Sequence, residues 1–146
     1  MALNKDRANA IWEGSVTDGA GRVTVASGAF PEQEITLKRR TEGGSGKTSP
    51  EELIAAAHAS CYAMALSAAL SRNSTPPDKL DVSAEVTLER GESGLKITKS
   101  ELSVRGSVPG VDAAQFNEIA KTAEQSCPVS NALRGSLEIT LQAQLA

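Results

Sequence analysis

Two cysteines, Cys61 and Cys127, are the residues of this chain with the most chemistry to offer. A thiol becomes a nucleophile only as thiolate, so the question for each is what would stabilise the charge. Cys61 lies inside the run LIAAAHASCYAMALSAAL, residues 53–70. At helical spacing its face is shared by Ile54, Ala57, His58, Met64, Ala65 and Ala68, all apolar or small except the histidine. Apolar surroundings raise a thiol pKa, which makes Cys61 an inert core residue unless a cation is brought to it. Cys127 stands directly before Pro128, at the opening of a short helix expected over 128–133. Free N–H groups and the helix dipole there favour a thiolate. A helix-capping or core-filling role fits that position equally well, and local physics does not rank the two thiols.

The cations that could activate a thiol are Lys38, Arg39 and Arg40 in one cluster, with Arg22, Arg72, Arg90, Arg105 and Arg134 scattered and expected in solvent. Arg40 comes just before the loop leading to the Cys61 segment. Glu51, in the first turn of that segment, could hold a guanidinium in a bidentate pair or simply face the helix dipole. Ten residues of helix separate Glu51 from Cys61, about 15 Å at 1.5 Å per residue, so Glu51 cannot reach the thiol of its own chain. If both serve one site, a second chain supplies one of them. His58, three residues before Cys61, offers a Cys–His pair or half a metal site. One histidine and two distant cysteines, with no CxxC, are too few ligands for zinc. A helix histidine satisfied at an interface is the expectation, with no metal and no cofactor.

The segments that must position these residues read as an α+β pattern, β-β-β-α-β-β-α-α-β. Residues 8–14 and 22–28 flank an Asp18-Gly19 turn, and residues 34–41 alternate as a third strand carrying Arg39 and Arg40. Residues 42–47 are Gly-rich but lack the GxxxxGK[ST] spacing of a phosphate loop. Ser49-Pro50-Glu51-Glu52 carries helix-start signals, with Ser49 as cap and Glu52 closing a capping box, and the helix should run to about Arg72. It lacks a polar face, which predicts burial all round and, in so short a chain, burial against a second copy. Strands are expected at 80–90 and 95–105 around Gly91-Glu92-Ser93-Gly94, a helix from Val111-Asp112 to Ser126, and a last half-buried strand at 137–145.

The chain has 146 residues, 15 Lys and Arg against 18 Asp and Glu, a net charge of −3 and 40% hydrophobic residues. This is the size of one domain, 1–146. No basic stripe exists for nucleic acid or an anionic membrane, and no apolar run is read as reaching the roughly 20 residues of a membrane helix. With 3% aromatics there are few rings for stacking bases. The N-terminus has no signal pattern, which places the chain in the cytoplasm, and that reducing compartment argues against a permanent structural bridge between Cys61 and Cys127.

The run Ser49-Pro50-Glu51-Glu52-Leu53-Ile54, followed by Ala55-Ala56-Ala57-His58-Ala59-Ser60-Cys61, resembles the active-site helix of the OsmC/Ohr family of thiol-dependent organic hydroperoxide reductases. Ser107-Val108-Pro109-Gly110-Val111-Asp112 and Ser126-Cys127-Pro128-Val129-Ser130-Asn131-Ala132-Leu133 are similar to its second helix and second-cysteine motif. Ile11-Trp12-Glu13-Gly14 favours the OsmC branch, so the resemblance covers essentially the whole chain. It implies an OsmC-like fold, antiparallel sheets around a long central helix, in an intertwined homodimer with active sites at the subunit interface. It further implies that Cys61 attacks a hydroperoxide and becomes a sulfenic acid, that Cys127 resolves it as an intramolecular disulfide, and that an external dithiol reduces the disulfide. Arg40 matches the family's thiolate-activating arginine and Glu51 the carboxylate that orients it, with Arg39 one position out of register.

The resemblance therefore implies a peroxidase of oxidative or osmotic stress defence, acting on organic hydroperoxides and, as a smaller substrate, hydrogen peroxide. A third reading is a redox sensor that forms the same disulfide to change a partner surface; the competing class is a dimer that binds a small hydrophobic ligand, with both cysteines in the core. Thiol titration separates them, because core cysteines react slowly in the native protein.

Overall fold

The computed structural model describes every residue, Met1–Ala146, and divides into two compact units, residues 1–50 and 51–146.

The first unit is a three-stranded antiparallel sheet, β1 (Ala8–Glu13), β2 (Ala20–Val25) and β3 (Gln33–Ile35), in the order β1-β2-β3. Trp12 pairs with Gly21 across the first hairpin, and a Cβ at Gly21 would come within 2.7 Å of the Trp12 ring. The third strand is shorter than the alternation predicted. After Ile35 the chain turns into a helix, α1 (Leu37–Glu42), which carries Lys38, Arg39 and Arg40. The reason is Thr36, whose side chain accepts the Arg39 N–H at 3.1 Å and caps the helix, while Gly43, at φ 75°, ends it.

The second unit begins in α2 (Pro50–Arg72) and continues with β4 (Lys79–Gly91), β5 (Gly94–Ser107), α3 (Ala113–Ser126), α4 (Pro128–Leu133) and β6 (Glu138–Leu145). Strands β4 and β5 form the expected hairpin with Glu92 and Ser93 at its tip, Gly94 taking φ 110°. Asp112 caps α3 in a capping box with Gln115, and Pro128 starts α4. The sheet order is β4-β5-β6. One expectation changes here: β6 runs parallel to β5, so this sheet is mixed rather than wholly antiparallel. A parallel partner requires a long crossover, and α3 with α4 supplies it.

The core explains why α2 tolerates so little polarity. His58, Tyr62, Leu66, Ala69 and Leu70 recur at the spacing of one helical stripe and are buried. The apolar members of the stripe join Leu102 and Val104 of β5 and Phe116, Ala120 and Ala123 of α3 in one cluster. The rest of α2 is not buried all round in the single chain: Ala56, Ala57 and Ala68 are exposed, and Met64 is 67% exposed. By length and composition α2 could cross a membrane, contrary to the expectation that no segment reaches that size. Its stripe is instead committed to the core of this unit.

Candidate active site

Cys61 sits in the middle of α2 beside the buried stripe, and Cys127 caps the N-terminus of α4. The fold brings them together: Cys127 is fully buried in the core cluster, Cys61 is packed against it, and their side chains share a hydrogen bond. Both are free thiols. The first turn of α4 addresses both sulfurs. The Val129 N–H donates to Cys61, and the Ser130 N–H donates to Cys127 Sγ at 3.5 Å. These are amides that a helix start leaves without an intrahelical acceptor.

Burial pushes the Cys61 thiol above its ordinary value and the Cys127 thiol beside it pushes the same way, while the Val129 N–H pulls it down. No cation is among these influences, so the apolar-surroundings argument drawn from sequence holds for Cys61.

His58 is fully buried, one turn before Cys61. Its Nδ1 meets Ser100 Oγ of β5 at 2.7 Å and its Nε2 meets Ser130 Oγ of α4 at 2.8 Å. The histidine is satisfied, as expected, but inside its own chain by two serines rather than at an interface. Burial holds its pKa below the ordinary 6.5; Glu124 opposes that shift and Arg134 reinforces it. Both ring nitrogens are taken by hydroxyls, so the geometry gives neither a Cys–His pair nor a metal ligand. No group of three metal-ligating side chains exists anywhere in the chain.

Sequence reasoning missed a polar frame around Cys127. Glu124, 6% exposed near the end of α3, accepts from Arg134 Nη2 at 2.7 Å, tying α3 to the residue that follows α4. Tyr62 donates to the Ala120 carbonyl at 3.0 Å, and burial pushes its phenol upward. The signal for the first pair was a Glu and an Arg flanking the CPVSNAL segment ten residues apart.

The two arginines of α1 differ. Arg39 Nε donates to the Lys47 carbonyl at 2.8 Å, whereas Arg40 lines an apolar cavity of about 520 Å³ with Trp12, Val16, Ile35 and Leu37. Glu51 is buried in the first turn of α2 and opens the second unit.

A thiol on a long helix facing a second thiol at the start of a short one, within an α+β fold, defines a dithiol redox protein, and direct comparison identifies its family. Residues 43–142 match the family model described as OsmC-like protein. The chain is 42% identical over 145 residues to Peroxiredoxin OsmC of Escherichia coli, covering 99% of each. It is 30% identical over 129 residues to the Organic hydroperoxide resistance protein of Xanthomonas axonopodis pv. citri, covering 87% of this chain and 89% of that one. Among solved structures, an organic hydroperoxide resistance protein OsmC from Legionella pneumophila superposes with a TM-score of 0.79 at 25% identity over 99% of both chains. The Organic Hydroperoxide Resistance Protein OhrB of Bacillus subtilis superposes with 0.78 at 26% identity, over 98% of this chain and all of the other. The chain belongs to the OsmC family.

Proposed function

We propose that this protein is a thiol peroxidase that reduces organic hydroperoxides in stress defence. The observation that carries this reading is the hydrogen-bonded contact of Cys61 with Cys127 under the first-turn amides of α4. The names of the relatives, a peroxiredoxin and hydroperoxide resistance proteins, point the same way.

In this reading the Cys61 thiolate attacks the terminal oxygen of the hydroperoxide. The O–O bond breaks, the alkoxide takes up a proton to leave as alcohol, and Cys61 is left as sulfenic acid. The Cys127 sulfur then attacks the Cys61 sulfur. The sulfenic hydroxyl leaves as water with the thiol proton, and an intramolecular disulfide remains. An external dithiol returns both thiols by exchange, which suits a reducing compartment such as the cytoplasm. None of these steps calls for a metal or an organic cofactor.

Arg40 is the activating cation and Glu51 the carboxylate that orients it. The family resemblance supports both roles. The apolar cavity beside Arg40 suits the hydrocarbon part of an organic hydroperoxide. A second copy of the chain covers the exposed alanines and Met64 of α2, which supports a homodimer working as one domain per chain.

The test is intact mass and thiol count of the reduced protein before and after one equivalent of cumene hydroperoxide, with turnover followed in dithiothreitol. Loss of both thiols and two hydrogens, with turnover that Cys61→Ser abolishes, supports the reading. Two unreacted thiols and no peroxide consumption refute it.

A further inference from the structure

His58 takes no part in the chemistry above, yet it is fully buried and held at both ring nitrogens by hydroxyls from two other elements. Its position relative to the cysteines is regular. His58 precedes Cys61 by three residues on α2, and Ser130 follows Cys127 by three residues on α4. The two helices are therefore joined by two neighbouring rungs, Cys61 to Cys127 and His58 to Ser130. The second rung is anchored behind the helices, because Ser100 of β5 holds the other side of the same ring at 2.7 Å. Ser130 in turn is the residue whose backbone N–H meets Cys127 Sγ.

We propose that His58 is a positioning residue for the resolving step: it locks α4 to α2 through Ser130 so that Cys127 faces the sulfenic acid on Cys61. The inference rests on the two-cysteine reading above. Disulfide formation needs the two sulfurs in line at bonding distance, and a displacement of about 1 Å can cost about a hundredfold in rate. The Cys61–Cys127 contact is a weak thiol hydrogen bond and cannot fix that alignment alone. A ring with both nitrogens bonded and no solvent contact can, since its only freedom is to break a buried hydrogen bond. Without the rung, the first oxidation proceeds, but the sulfenic acid waits longer for its partner and a second peroxide converts it to sulfinic acid.

The experiment uses the full chain in seven forms: native, His58→Ala, His58→Gln, His58→Asn, Ser130→Ala and, for the first step alone, Cys127→Ser with and without His58→Ala. Glutamine places an amide where Nε2 stood and keeps the rung to Ser130, whereas asparagine reaches only toward Ser100. Sulfenic acid formation is followed by trapping with dimedone. Disulfide against sulfinic product is followed by intact mass over rising cumene hydroperoxide. The expected result is an unchanged first step, with the peroxide concentration that half over-oxidises Cys61 falling about tenfold in His58→Ala, His58→Asn and Ser130→Ala, and restored in His58→Gln. Native partition in all four variants, with normal sulfenic acid formation, overturns the inference and leaves the peroxidase reading standing. An equal loss of both steps in all four, glutamine included, also overturns it, because His58 then supports only the fold. Absence of sulfenic acid at Cys61 in the native protein overturns both.

Discussion

Glu124 and Arg134 form an ion pair at 2.7 Å across the segment that carries Cys127, and only one of the two is buried: the Glu124 side chain is 8% exposed and that of Arg134 39%. The asymmetry decides which substitution hurts. Arg134→Ala leaves a carboxylate in the core with only Gln125 Nε2 beside it, whereas Glu124→Gln leaves an arginine that can turn to solvent. Arg134→Ala is expected to cost about 1–3 kcal/mol in urea unfolding, the lower part of that range applying because the arginine is half in water. Glu124→Gln should cost less than half as much. The reverse order would mean that the pair acts as an exposed one.

Gly106 and Phe116 set the spacing between β5 and α3. A Cβ on Gly106 would lie 2.6 Å from Phe116 Cζ and 2.7 Å from Cε2, and the ring is fully buried with no room to retreat. Gly106→Ala should therefore destabilise by about 1–3 kcal/mol through overpacking. Adding Phe116→Leu should return part of that loss, measurable as a denaturant midpoint that recovers in the double variant.

The pH dependence of stability carries the signature of His58. Its folded pKa is held below the unfolded 6.5 by burial, with Glu124 opposing and Arg134 reinforcing the shift. Below pH 6.5 the unfolded chain binds the extra proton and the native chain does not, so the stability present above 6.5 is lost progressively as pH falls. It levels off once pH is below the folded pKa. Urea midpoints between about pH 7.5 and about pH 5 should fall more steeply for the native protein than for His58→Gln. Parallel curves would show that the histidine titrates alike in the folded and unfolded states.

Burial and the neighbouring Cys127 both push the Cys61 thiol up, so removing that neighbouring thiol should make Cys61 more acidic. Cys127→Ser puts a hydroxyl acceptor in place of the sulfur at the cap of α4 and removes the second thiol. The midpoint of alkylation rate against pH should move down relative to the native protein. A midpoint that stays or rises would mean that the cap geometry, not the second thiol, governs Cys61.

Much of this arrangement was legible in sequence because it rests on local signals. Pro50 and Pro128 mark helix starts, Gly91 and Gly94 bound a hairpin, and the two cysteines fall on the helix positions their motifs implied. The third strand was misread past Ile35 because alternation over 34–41 mimics a strand, while the deciding contact is a single Thr36 cap. The parallel course of β6 depends on a crossover that no local pattern encodes. The partners of His58 lie 42 and 72 positions away, so the sequence pointed to a satisfied histidine without naming the two serines that hold it. Polar networks assembled across the core are satisfied by tertiary partners, and only the fold supplies them.

Arg39 and Arg40 are adjacent on α1 but have different surroundings, which gives the proposed activating role a sharp test. Arg39 holds the Lys47 carbonyl and thereby the loop before α2, while Arg40 lines the apolar cavity with Trp12 and Leu37. A cation that stabilises the thiolate and the departing alkoxide acts on the transition state, and removing one such group typically costs about a hundredfold in rate. Arg40→Ala should lower kcat/KM for cumene hydroperoxide by about that factor. Arg39→Ala should instead lower stability and leave kcat/KM within about threefold, since it removes a loop contact and no charge at the reacting oxygen. Glu51→Gln, if the carboxylate orients Arg40, should reproduce the kinetic loss of Arg40→Ala and add little to it in the double variant. Additive losses would show that Glu51 and Arg40 serve separate purposes, and the reverse kinetic ranking of the two arginines would move the activating role to Arg39.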